Sequence, residues 1–78
     1  RRITLGDMLP DPRLVDALGA AACLRLGLVP WRRVGDVTVV AVSRPEDFAQ
    51  LRPLLEARLG PVCAGLAPAR DIIAAVHA

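Results

Sequence analysis

The run Val37-Thr38-Val39-Val40-Ala41-Val42 leaves this chain few ways to fold. Four of its six residues are valine and Thr38 adds another β-branched side chain, so the run favours extended backbone. It is apolar on both faces, the mark of a central strand covered from either side. Gly35-Asp36 supplies a turn before it, and Leu28 to Val34 supplies a partner strand. Pro30, inside that partner, has no N–H for a ladder, which assigns the strand to a sheet edge.

The remaining segments read as cover for this hairpin. Asp11-Pro12 opens a helix, with Asp as the cap and Pro in the first turn. Leu14, Val15, Leu18, Ala21, Ala22 and Leu26 then recur at helical spacing, predicting one continuous helix that Gly27 closes. Gly19 sits inside it and weakens it by up to about 1 kcal/mol relative to Ala. Ser43 and Glu46 have capping-box spacing and predict the next helix start. That helix carries the stripe Phe48, Leu51, Leu55, Leu59, and Pro53 is expected to kink or split it after Leu51. Gly60 ends it, Pro61 to Leu66 form a short third strand, and Pro68 opens a last helix with Ala69, Ile72, Ile73 and Val76 inward.

A right-handed crossover through the middle helix makes the third strand parallel to the second. The expected fold is therefore α+β, in the order α-β-β-α-β-α over residues 11–78, with a three-stranded mixed sheet packed by helices. Residues 1–10 are read as a linker or docking segment, with Ile3 and Leu5 laid extended against the body.

The chemistry available is narrow. The 78 residues are 54% hydrophobic with a net charge of +2, enough for one folded domain and too apolar for disorder. Cys23 and Cys63 lack metal-ligand or redox-motif spacing and are expected as buried free thiols. His77, the one histidine, falls at a helix end, and Ser43 has no base near it. The carboxylates are scattered among arginines, without a metal cluster, and no glycine-rich phosphate loop is present. A catalytic role, a cofactor and a metal site are therefore not expected. The low charge and two aromatic residues argue against a nucleic-acid module. No apolar run approaches the ~20 residues of a spanning helix, and no signal peptide is visible. The domain is expected in the cytoplasm, meeting a membrane only indirectly. The chain begins without Met and is read as a piece of a longer protein.

One local charge excess stands out. Arg25, Arg32, Arg33 and Arg44 surround Trp31, with Asp36 as the opposing charge. Arg and Trp are residues that interfaces favour, so these five form a candidate partner interface. The alternative is a nucleotide held by the arginines around Trp31.

From Asp11 to Val76 the sequence resembles the N-terminal domain of the type II secretion and type IV pilus ATPases, the MshEN or GspE N-terminal family. The residues that carry the likeness are Leu24-Arg25-Leu26-Gly27-Leu28-Val29-Pro30-Trp31-Arg32-Arg33, Gly35-Asp36 and Val39-Val40-Ala41-Val42-Ser43-Arg44-Pro45. The resemblance implies a non-catalytic docking or regulatory module. Its partner would be another protein or the catalytic domain of its own chain. The module is also known from some bacterial membrane glycosyltransferases, and Trp31 after Pro30 looks like that branch. Some relatives bind cyclic di-GMP through repeats of the form Arg-Leu-Gly-x-x-Leu. Leu5-Gly6-Asp7-Met8-Leu9 is similar to one such element, but Thr4 replaces the Arg and no second copy exists. On this comparison cyclic di-GMP binding is not expected.

Overall fold

The computed structural model describes residues 10–77. The elements are α1 (Pro12–Leu18), α2 (Ala20–Leu26), β1 (Leu28–Val34), β2 (Val37–Val42), a 3₁₀ turn (Pro45–Asp47), α3 (Phe48–Leu59), β3 (Val62–Leu66) and α4 (Ala69–His77). The expected docking segment falls almost wholly on residues 1–9, outside the described residues.

The sheet has the order β1-β2-β3, with β1 antiparallel and β3 parallel to β2. The fold is thus α+β with a three-stranded mixed sheet, as the sequence patterns predict. Strand β2 lies in the middle, and Val40 and Ala41 on its opposite faces are fully buried. Leu28, Val40, Val42 and Val62 meet Leu18, Cys23, Leu55 and Leu59 on one face. Val29 and Ala41 meet Ala67, Ile72 and Ala75 on the other.

The first helix differs from its prediction. Gly19 has φ 96° and ψ 132° and divides the run into α1 and α2. The Gly19 amide closes α1 on the Val15 carbonyl at 2.7 Å, while its own carbonyl accepts from the Cys23 amide at 3.0 Å. The break has a packing reason. Helix α1 packs against β1 and α3, whereas α2 packs against β1 and α4. One straight helix would carry a single stripe and could not serve both neighbours.

Ser43 does not form the predicted capping box. Its hydroxyl donates to the Gly27 carbonyl at 2.8 Å, and Arg44 Nη2 donates to the Leu26 carbonyl at 2.9 Å. The last carbonyls of α2 have no partner within the helix, and they take both side chains. The Arg44 cap of the 3₁₀ turn makes no side-chain bond. Pro53 does not split α3, which runs unbroken through it. The ring is exposed, so the helix gives up one bond, to the Ala49 carbonyl, while buried Leu55 and Leu59 anchor the turns that follow.

Both cysteines are free, but only Cys23 is buried. Cys63 is exposed because β3 is an edge strand and α4 packs over β1 and β2. Burial raises the Cys23 thiol pKa above the ordinary value, with a backbone hydrogen bond acting weakly the other way. A raised native pKa means that the neutral thiol supports the fold fully below the ordinary thiol range. That support is lost as the pH rises through the native pKa. A thiol reagent at neutral pH should therefore modify Cys63 at once and Cys23 at least about a thousandfold more slowly, through unfolding. Equal rates in a stopped-flow assay of C23S and C63S would contradict this packing.

Candidate functional site

The feature that most distinguishes the surface is a bulge in β1. Pro30 pairs with Val40 and Arg32 with Val39, leaving Trp31 as an extra residue. A bulge sets two residues of one strand against one of the other. Trp31 and Arg32 therefore share the α4 face rather than alternating, and the Arg32 guanidinium carbon lies 5.1 Å from the Trp31 ring centroid. Trp31 packs on the same apolar cluster as Val15, Val39 and Val76. The bulge also turns the Trp31 carbonyl outward, where it accepts from the Asp11 amide at 2.9 Å.

Arg32 is charged, half-buried and stacked, and it has no ion pair among the described residues. The ion pairs among the described residues are Arg13–Asp11, Arg44–Asp47, Arg52–Glu56 and Arg70–Asp71, so no described carboxylate pairs with it. Its Nε is buried without a hydrogen-bond partner among these residues. A cation over an aromatic face, with a donor in reserve, suits a planar acceptor-rich ligand.

The other predicted interface residues stand elsewhere. The bulge resets the alternation, so Arg33 emerges on the α3 face, where its Nη2 donates to the Leu59 carbonyl at 3.1 Å. Thr38, opposite it in the ladder, donates to the same carbonyl at 3.4 Å, and together they close the end of α3. Arg25 lies in the last turn of α2. Arg44 sits nearby, lining a hollow of about 320 Å³ with Leu24, Gly27 and Ile73. This pair is at the Leu28 end of β1, roughly 13 Å along the strand from Arg32. Sequence proximity grouped five residues; the fold joins Trp31 with Arg32 and separates the rest into two places. No group of three His, Cys, Asp or Glu side chains that could hold a metal ion forms among the described residues.

Residues 1–78 match the model of the MshEN domain. The chain belongs to the MshEN family. Among curated proteins nothing matches it. Among solved structures this MshEN domain is similar to one described as MshE with cdg, at a TM-score of 0.78 and 23% identity. The match covers 97% of this chain and 55% of that one, so the present chain spans about half the length of the solved structure.

This likeness corrects one expectation from the sequence. The absence of cyclic di-GMP binding was argued from Thr4 and the missing second repeat, whereas the MshE structure of the same fold carries cdg, the cyclic dinucleotide. The motif comparison rested on residues 1–9, outside the described part. The likeness agrees better with the alternative reading, a nucleotide sensed through the arginines around Trp31, but which arginine stacks on the ring depends on the bulge. The one hint was Pro30 just before Trp31, since proline inside a strand often accompanies a bulge. No helix among the described residues is long and apolar enough to cross a membrane.

Proposed function

We propose that this MshEN domain is a non-catalytic regulatory module that senses cyclic di-GMP on behalf of a longer, cytoplasmic protein. That protein is an MshE-like ATPase of the secretion and pilus class rather than a glycosyltransferase. The single observation that carries the reading is the agreement in fold with MshE, whose structure contains cdg. The stack of Arg32 on Trp31 supports it chemically.

A guanidinium plane offers paired donors to guanine O6 and N7, and its flat face stacks on a purine. Base stacking on such a platform contributes about 1–3 kcal/mol per base. The positive charge of Arg32 also attracts a phosphodiester. A regulatory role needs no nucleophile or base of its own, in keeping with the residues present.

Trp31 is the only tryptophan, so its fluorescence reports on the platform directly. Titration with cyclic di-GMP should change the emission saturably. Arg32→Ala should weaken binding about tenfold, or roughly 1.4 kcal/mol, with the circular dichroism unchanged. Arg33→Ala, on the other sheet face, should leave the affinity alone. An emission spectrum indifferent to the dinucleotide up to about 1 mM, the weakest affinity of interest, would sink the proposal.

A further inference from the structure

The two edges of the sheet are finished differently. On β1, Pro30 has no N–H, the bulge at Trp31 interrupts the ladder, and the Trp31 carbonyl is taken by the Asp11 amide. Strand β3 lacks these devices. Its ladder to β2 begins with the Thr38 amide on the Pro61 carbonyl at 2.8 Å and ends with the Ala67 amide on the Val42 carbonyl at 2.9 Å. Parallel pairing between those ends uses residues 61, 63, 65 and 67, so the N–H and C=O groups of Val62, Ala64 and Leu66 point out from the edge. Arg52 Nη2 donates to the Val62 carbonyl at 3.1 Å, and among the described residues no backbone group meets those of Ala64 and Leu66. We propose that this edge pairs with the β3 edge of a second copy of the domain, antiparallel and with Ala64 on the twofold axis, to give one six-stranded sheet.

The register is self-complementary. Ala64 meets Ala64 of the second copy and Val62 meets Leu66 on either side, so all three outward residues exchange N–H···O=C bonds. A register displaced by two residues would lose one of these pairs. On the α3 face, the Leu66 side chain, 42% exposed in the single domain, is set against Val62 of the second copy. On the α4 face, exposed Cys63 lies opposite Gly65, which has no side chain to obstruct it. Both complements come from this strand itself, which favours a second copy over a peptide of another sequence.

Charge permits the approach. The guanidinium that holds the Val62 carbonyl also lies 3.5 Å from the Glu56 carboxylate, so the α3 flank of the edge shows a balanced pair rather than a single sign. Two five-residue strands bury less than the roughly 1,200 Å² at which stable complexes begin, so the dimer is weak and its population follows concentration.

Isotope-filtered NMR on a mixture of labelled and unlabelled 78-residue chain at about 1 mM tests the register. A nuclear Overhauser effect should join Cys63 Hα of one copy to Gly65 Hα of the other, the close pair of this arrangement, and fade on dilution to about 20 µM. Ala64→Pro removes an N–H that the ladder to β2 does not use, so the contact should vanish with the circular dichroism unchanged. Leu66→Lys, at an exposed position, should lower the dimer fraction in sedimentation severalfold. A chain that sediments as a monomer at about 1 mM would overturn the proposal. A dimer without the Cys63–Gly65 contact, or one that tolerates both substitutions, would place the interface elsewhere and overturn it as well.

Discussion

Leu55→Ala is expected to cost about 4 kcal/mol, a third or more of the whole stability of the domain. Leu55 is fully buried and belongs to the cluster that joins α3 to β1, β2 and β3. Truncating such a leucine removes apolar surface and leaves a cavity that the surroundings only partly fill, at about 2–5 kcal/mol. A domain of this length has roughly 4–12 kcal/mol in total. Urea unfolding followed through Trp31 emission should show the midpoint of the variant shifted down by more than about 1 M. Leu54→Ala is the control: the neighbouring side chain is 44% exposed and its loss should stay within about 0.5 kcal/mol. Similar midpoints for the two variants would mean that α3 presents a different face to the sheet.

Gly19→Ala carries the second largest effect, and here the sign matters more than the size. Read as a position inside a continuous helix, Gly19 invites a gain of up to about 1 kcal/mol on replacement by Ala. The structure reverses this. At φ 96° and ψ 132° the backbone is in a region that residues with a Cβ avoid, and holding alanine there costs about 1–3 kcal/mol. Space is not the obstacle, because an added Cβ would meet nothing within 4 Å. The penalty is wholly conformational, so Gly19→Ser should suffer a similar loss. A rise in melting temperature for Gly19→Ala would show that α1 and α2 can merge after all. At Gly27 the case is different: φ is 69° and a Cβ would sit 3.0 Å from the Ser43 hydroxyl. There the turn chemistry and the close approach coincide.

The difference between these glycines shows where sequence reasoning stops. Gly27 follows an apolar stripe and precedes a strand, so its role as a helix terminator is readable locally. Gly19 lies within an unbroken helical pattern, and nothing around it marks a bend. With the bend, α1 packs on β1 and α3 while α2 packs on β1 and α4. Pro53 errs in the other direction. Locally it is a breaker, yet the buried anchors on its C-terminal side outweigh one lost hydrogen bond. The same holds for Ser43, whose spacing to Glu46 promises a cap. The bare carbonyls at the end of α2 reach its hydroxyl first.

The candidate site was harder to read than the fold. The interest of Trp31 and its arginines could be stated from composition alone. Which arginine stacks on the ring could not, because strict alternation would send Trp31 and Arg32 to opposite faces. A single extra residue in β1 undoes that alternation, bringing Arg32 onto Trp31 and sending Arg33 to the end of α3.

Local pattern was enough for the strand core, the antiparallel hairpin, the parallel return of β3 and the apolar faces of α3 and α4. These follow from side-chain periodicity and chain connectivity, which act over a few residues and leave few alternatives. Packing between distant elements set the break at Gly19, the partners of Ser43 and Arg44, the exposure of Cys63 and the union of Trp31 with Arg32. Each of those depends on which distant group is free to compete for a side chain or a carbonyl, and that competition exists only once the elements are packed together.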